Sequence, residues 1–196
     1  MERRGFLTGV SGLAVGAAGL ALTGCSTTTT APHAGADQVA KRRELEGTVD
    51  AALTRLYSTV RGASEFGGRA RGILVFPRVL QAGFIVGGEY GDGVLRTGNR
   101  VAGYYRIVSG SFGWQIGAQS KAIVLMFLTQ DALDRFVNSN GWSVGADATV
   151  ALARVGASGE IDTALARESV VGFALTNAGL MAGLTLEGSK ITRLNM

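Results

Sequence analysis

From Gly68 onward, glycine cuts the chain every few residues into short apolar or alternating runs, and that spacing limits what the chain can become. A helix loses about 1 kcal/mol for each interior Gly in place of Ala, so the segment is ill suited to long helices. The runs Ile73 to Phe76, Gly83 to Gly88, Val101 to Val108, Phe112 to Gln119 and Ala122 to Thr129 have strand length and are rich in branched and aromatic side chains. Thirty of the 196 residues are Gly and only two are Pro, which excludes a collagen-like repeat.

The same alphabet supplies the turns. Tyr90-Gly91-Asp92-Gly93 and Thr97-Gly98-Asn99-Arg100 read as hairpin turns, because Gly, Asn and Asp tolerate positive φ. Thr129 is placed to cap a short helix, Gln130 to Asn138, with Leu133, Phe136 and Val137 facing inward. A pattern of Gly-aromatic-x-aliphatic-Gly-small recurs from Gly83, Gly113 and Gly141, with a weaker echo from Gly179. At period two it sets an aromatic and an aliphatic residue on one face and bare backbone on the other, which suggests equivalent strands of one curved sheet. Trp114 and Trp142 belong to the pattern and are expected in the core. Farther on, Val150, Leu152, Ile161, Leu165, Val170, Phe173, Leu184, Leu186 and Ile191 predict more antiparallel strands, with turns at Gly156 to Gly159 and Asn177 to Gly179.

Between Asp37 and Arg61 the period lengthens. Leu45, Val49, Ala52, Leu53, Leu56 and Val60 fall on one helical stripe, with Asp37 as N-cap and Gly62 as the stop. The polar side mixes Lys41, Arg43, Arg55 and Arg61 with Glu44, Glu46 and Asp50, which favours a helix docked on the core over one lying on a membrane or covering a ligand cavity. The expected fold is α+β and mainly antiparallel β: a curved sandwich or barrel-like sheet, an N-terminal amphipathic helix and one short internal helix.

The first residues are an address. Arg3 and Arg4 precede an uncharged run from Gly5 to Gly24, six of whose twenty residues are Gly, so a cleaved export signal over residues 1–24 is favoured over a permanent span. Leu22-Thr23-Gly24-Cys25 resembles a bacterial lipobox, in which small residues admit the peptidase and the Cys thiol accepts the lipid. Arg3-Arg4-Gly5-Phe6-Leu7 resembles the twin-arginine export motif, leaving that route and the general secretory route both open. Cys25, the lone cysteine, is the expected site of acylation, including palmitate. Ser26 stands where lipoproteins kept in the inner membrane often carry Asp, which points to the outer membrane. Residues 25–36 are Thr-rich and read as a flexible tether that includes His33, leaving 37–196 as the folded domain.

Composition removes most chemistry. One Cys and one His exclude a disulfide within the chain, a Cys-based zinc site and His-clustered metals, and make an ordinary Ser/His/Asp triad hard to assemble. Glu89 with Asp92 and Glu160 with Asp162 are the close acidic pairs of the sheet region, and both are expected at exposed turns. Gly88 to Gly93 precedes a strand rather than a helix and lacks the Lys of a phosphate loop. No enzyme activity and no cofactor are expected. The formal charge of +4 is too mild, and its longest basic block, Lys41-Arg42-Arg43, too short, to indicate nucleic-acid binding.

Several stretches together resemble a known family. Ala70-Arg71-Gly72-Ile73-Leu74-Val75-Phe76-Pro77, Ala82-Gly83-Phe84, Tyr90-Gly91-Asp92-Gly93-Val94-Leu95, Gly145-Ala146-Asp147-Ala148 and Gly179-Leu180-Met181-Ala182-Gly183-Leu184-Thr185-Leu186-Glu187-Gly188-Ser189 are similar to the SYLF lipid-binding domain family, whose fungal members are actin-associated. The resemblance runs from about Arg69 to Ile191. It implies a non-catalytic module that binds anionic lipid, phosphoinositides in eukaryotes, with an N-terminal amphipathic helix contributing to membrane contact. By position, Lys41, Arg42, Arg43 and Arg55 become candidate anion contacts on the helix. Arg69, Arg71 and Arg78 bracket the first strand and have the bidentate geometry that suits phosphate. The expected protein is a lipid-anchored component of the bacterial envelope, held at the membrane through acylated Cys25 and facing the periplasm or surface. A structural or protein-interaction lipoprotein of the outer membrane, its partner unspecified, is the competing expectation.

Overall fold

A computed structural model describes residues 34–83, 86–112, 119–154, 161–181 and 184–196. Cys25 and the rest of residues 1–33, Trp114 and its copy of the glycine pattern, the 156–159 turn and Glu160 lie outside them. Among the described residues nine strands form one strongly curled, half-barrel sheet, with helices α1 (Ala34–Thr59), α2 (Ala63–Arg69) and α3 (Gln130–Asn138).

Four long antiparallel strands make the centre: β1 (Gly72–Gly83), β2 (Val86–Thr97), β3 (Arg100–Phe112) and β4 (Gln119–Phe127). The short strands are β5 (Trp142–Ser143), β6 (Ala151–Leu152), β7 (Val170–Thr176), β8 (Gly179–Leu180) and β9 (Lys190–Leu194). The order across the sheet is β5-β9-β3-β2-β1-β4-β7-β6, with β8 paired to β7. Every named ladder is antiparallel except β6 with β7, which is parallel and departs from the expected continuation. Another departure is a 3₁₀ helix, Thr163–Arg167, in place of the strand expected at Leu165; Asp162 caps it by accepting from the Ala164 N–H at 2.8 Å.

Each sheet face carries a core over part of its area, because alternating residues of the central strands feed two separate clusters. On one face Leu74, Phe76, Leu95, Ile107, Leu125 and Phe127 pack with Leu133 and Phe136 of α3 and with Trp142. Trp142 meets Phe127 and Phe136 edge-on, at ring centroid distances of 6.1 and 5.4 Å. On the other face Val75, Val94, Val124, Met126 and Phe173 pack under Val49, Leu56 and Val60 of the α1 segment and Phe66 of α2. The predicted docking of the amphipathic helix is therefore observed. Asp37 lies in its first turn rather than capping it, and Gly62, at φ 82, separates α1 from the short α2.

α3 matches its predicted limits, and the Ala132 N–H donates to Thr129 Oγ1 at 3.3 Å as its cap. The Thr97-Gly98-Asn99-Arg100 turn is also as predicted, with Gly98 at φ 58 and Thr97 paired to Arg100. Tyr90-Gly91-Asp92-Gly93 is not a turn: it lies within β2, Gly91 opposite Ile107 and Asp92 opposite Arg106. Its glycines answer a steric demand instead. A Cβ at Gly91 would stand 2.7 Å from the Arg78 carbonyl oxygen, and one at Gly93 2.5 Å from that of Val75.

The close approach at Gly91 originates in β1. Pro77 lacks an N–H for the ladder, and the register of β1 shifts between Phe76 and Val79 against β4 and between Val75 and Leu80 against β2. The strand continues past Pro77 to Gly83. The described residues of the first glycine-pattern copy consequently belong to two strands, Gly83 ending β1 opposite Gly87 of β2, while Phe84 and Ile85 lie outside the described residues. Among the described residues of the third and fourth copies only Trp142–Ser143 and Gly179–Leu180 are strand, and Gly141, Gly145 and Gly179 have positive φ.

Candidate functional site

The candidate site lies along the α1 face of β1 and β2. The apolar stripe seats α1 from Leu45 onward, and polar links from Arg42 to Asp50 secure it beside that stripe. Tyr104 Oη donates to Glu46 Oε1 at 2.6 Å, Arg96 donates to Asp50, and the Arg42 guanidinium lies 5.5 Å from the Tyr104 ring centroid. Burial, reinforced by Glu46, raises the pKa of the Tyr104 phenol, while the Arg96 hydrogen bond lowers that of Asp50.

Beside these links α1 and the sheet enclose an open groove of about 550 Å³. Leu45 lines the helix side, and Leu80, Tyr90 and Ala122 line the sheet side. Among the described residues three cations border it: Lys41 and Arg55 from α1, and Arg78 from the bulge of β1. Glu44 and Asp92 are the carboxylates in its wall. Asp92 is largely satisfied, accepting from Arg106 Nε at 2.8 Å and Nη2 at 3.2 Å, with Lys41 Nζ at 3.9 Å. That pairing raises the Arg106 pKa and seats its guanidinium 4.6 Å from the Tyr90 ring centroid. Arg55 Nη2 donates to the Thr176 carbonyl at 2.9 Å, which fixes its side chain beside the groove.

Of the residues predicted to contact anions, then, Lys41, Arg55 and Arg78 line the groove, Lys41 and Arg55 about 21 Å apart along α1. Arg42 is half-buried against Tyr104; Arg43 and Arg71 are exposed and do not line the groove. Arg69 ends α2 and donates to the Ala166 carbonyl at 3.4 Å. Arg106, Tyr90 and Leu80 were not among the predicted site residues, since their contribution depends on strand register.

Glu89 and Asp92, expected at an exposed turn, lie within β2, whereas Asp162 is exposed as expected, at the start of the 3₁₀ helix. Glu89 and Lys121 are each only 8% exposed; Glu89 Oε1 is 2.7 Å from Lys121 Nζ, and Ser109 Oγ donates to Glu89 Oε2 at 3.2 Å. Both Glu89 and Asp92 are committed to cations through register, not placed at a hairpin tip. Among the described residues no group of three or more His, Cys, Asp or Glu side chains is arranged to hold a metal. Among the same residues no helix is long and apolar enough to cross a membrane.

The Ysc84 family, described as Las17-binding protein actin regulator, matches residues 108–195. The chain is 29% identical over 126 residues to the SH3 domain-containing YSC84-like protein 1 of Xenopus laevis, covering 62% of this chain and 37% of that protein. The Homo sapiens protein of the same name is 29% identical over 126 residues, a match covering 62% of this chain and 36% of its own length. LAS seventeen-binding protein 3 of Saccharomyces cerevisiae is 30% identical over 130 residues, covering 63% of this chain and 28% of its own length. The chain thus spans roughly a third of the length of these relatives.

Proposed function

We propose, for a chain that belongs to the Ysc84 (SYLF) family, that the domain is a binding module for anionic lipid head groups. The observation that carries this reading is that Lys41, Arg55 and Arg78 all line one largely apolar groove between α1 and the sheet, spread along its length. Guanidinium and ammonium groups at the rim suit phosphate oxygens, while Leu45, Leu80 and the Tyr90 ring suit the carbon skeleton beneath them. Binding of this kind uses no nucleophile, metal or cofactor, so the chain acts without catalysis.

The N-terminal segment gives the domain its place. Residues 1–24 direct export, by the twin-arginine or the general secretory route, and Cys25 receives the acyl chains of an outer-membrane lipoprotein. More than one acyl chain makes such anchoring stable rather than transient. The test of the anchor is Cys25→Ser, whose product is expected to lose acylation and membrane fractionation; an acylated Cys25→Ser product would remove the assignment.

Head-group recognition is tested by sedimenting the chain with phosphatidylcholine vesicles and with equimolar phosphatidylcholine–phosphatidylglycerol vesicles at two salt concentrations. The expected result is tighter binding to anionic vesicles, weakened by salt. Equal binding to both would favour the second reading, a protein-interaction lipoprotein. The description of the family as Las17-binding supports that alternative.

A further inference from the structure

Three exposed apolar side chains form a continuous row across the centre of the sheet. Leu80 of β1 is directly opposite Tyr90 of β2, and Tyr90 is directly opposite Val108 of β3. Their exposures are 48, 44 and 48%, in strands whose other residues largely feed the two cores. The row borders the groove through Leu80 and Tyr90 and continues beyond it to Val108. Two residues farther along, Gly88 faces Gly110 on the same side of the sheet. Internal packing does not require these two glycines: a Cβ at Gly110 would meet nothing within 4 Å, and one at Gly88 only the Ser109 carbonyl oxygen at 3.9 Å.

The surroundings identify what this face suits. Arg106 stacks on Tyr90, Lys190 is directly opposite Val108, and Arg78 sits at the bulge beside Leu80. An apolar row with a central Tyr, bordered by long cationic side chains, matches the boundary between acyl chains and anionic head groups: Tyr favours that depth, and Lys and Arg keep their charges at the phosphates while their stems lie in apolar surroundings. Bare backbone at Gly88 and Gly110 leaves the sheet free to lie close to such a surface.

We infer that Leu80, Tyr90 and Val108 enter an anionic lipid leaflet, so that this sheet face, rather than the outward side of α1, is the membrane-facing surface of the domain. The inference rests on the lipid-binding reading above and adds an orientation to it: the groove opens at head-group depth, with Arg78 and Arg106 among the phosphates.

The test uses the full chain carrying Cys25→Ser, which removes its one native thiol. Val108→Cys, or Asn99→Cys at the exposed β2–β3 turn, is then labelled with an environment-sensitive nitrobenzoxadiazole dye. Neither position is in a core, so the labels leave the fold intact. With equimolar phosphatidylcholine–phosphatidylglycerol vesicles, the label at 108 is expected to shift to the blue and be quenched by lipids brominated in their acyl chains, while the label at 99 stays in water. Leu80→Ser with Val108→Ser, in the unlabelled chain, is expected to weaken binding to these vesicles about tenfold or more.

Preferential sedimentation with the anionic vesicles while the 108 label remains aqueous would overturn the orientation and leave lipid recognition standing. Equal sedimentation with neutral and anionic vesicles, and no shift at 108, would remove both. A shift at 108 that depends on protein concentration without vesicles would assign the row to contact between copies of the chain, and would likewise overturn the inference.

Discussion

Glu89 and Lys121 are joined at 2.7 Å across the width of β1, from strands that flank it on either side, with both side chains closed off from solvent. Such a pair offsets the loss of hydration only while both partners are present. Lys121→Met should therefore destabilise the domain by about 3–5 kcal/mol, because a carboxylate is left buried and unmatched. Glu89→Leu combined with Lys121→Met should recover most of that loss. Denaturant unfolding of the two single variants and the double variant measures the coupling; equal losses for the single and double variants would show that the pair is not closed off as described.

Gly93 is a site where bare backbone is structural. A Cβ there would stand 2.5 Å from both the Val75 carbonyl oxygen and Phe76 Cδ1, and the carbonyl belongs to the β1 ladder, so it has little room to withdraw. Gly93→Ala should cost about 1–3 kcal/mol by overpacking. Gly110→Ala, with open space around its Cβ, should leave the melting temperature nearly unchanged. A melting comparison of the two variants distinguishes glycine used for close approach from glycine left bare on a surface.

The links that secure α1 predict opposite responses to acid and alkali. The Asp50 pKa is lowered in the fold, first by the Arg96 hydrogen bond, so its contribution is present above the ordinary carboxylate pKa and is lost as pH falls through the lowered value. Asp50 is well exposed, which keeps the contribution below about 1 kcal/mol. Tyr104 runs the other way: its pKa is raised, first by burial and then by Glu46, so its contribution holds below the ordinary phenol pKa and is lost as pH rises through the raised one. Asp50→Asn should flatten the acid limb of the stability curve and Tyr104→Phe the alkaline limb. Denaturant midpoints collected from acid to alkaline pH test both signs.

Local chemistry made part of this fold legible. Thr129 before an amphipathic run and Gly98-Asn99 between alternating runs each determine a cap or a turn within a few residues, and both are found as expected. Gly91 and Gly93 misled because a turn and a close backbone contact both require glycine, and only the path of β1 distinguishes them. The run Ile73 to Phe76 stops short of Pro77, yet the bulge there lets β1 continue to Gly83. The short α2 helix escaped detection because Gly67 and Gly68 lie within it. Lys41, Arg55 and Arg78 are legible as cations, but their sharing one groove is tertiary: α1 must dock in one orientation and β1 must shift register. The Leu80–Tyr90–Val108 row is hidden in sequence for the same reason, since each member comes from a different strand.

That division of the basic residues gives a last prediction. Lys41, Arg55 and Arg78 border one groove, whereas Arg69 and Arg71 lie outside it. If binding were a matter of total charge, removing cations from either set would weaken attachment to anionic vesicles in proportion to the number removed. A geometric site separates them. Lys41→Gln, Arg55→Gln and Arg78→Gln together should weaken binding to phosphatidylglycerol vesicles about tenfold or more and flatten its salt dependence, as expected when about 1 kcal/mol is lost for each basic residue near an anionic surface. Arg69→Gln with Arg71→Gln should leave binding nearly unchanged. Arg55 also donates to the Thr176 carbonyl, so the unfolding midpoint of the triple variant must be measured alongside to separate lost lipid contact from a loosened α1. Proportional losses in the two sets, at equal stability, would mean that the groove has no special part in binding.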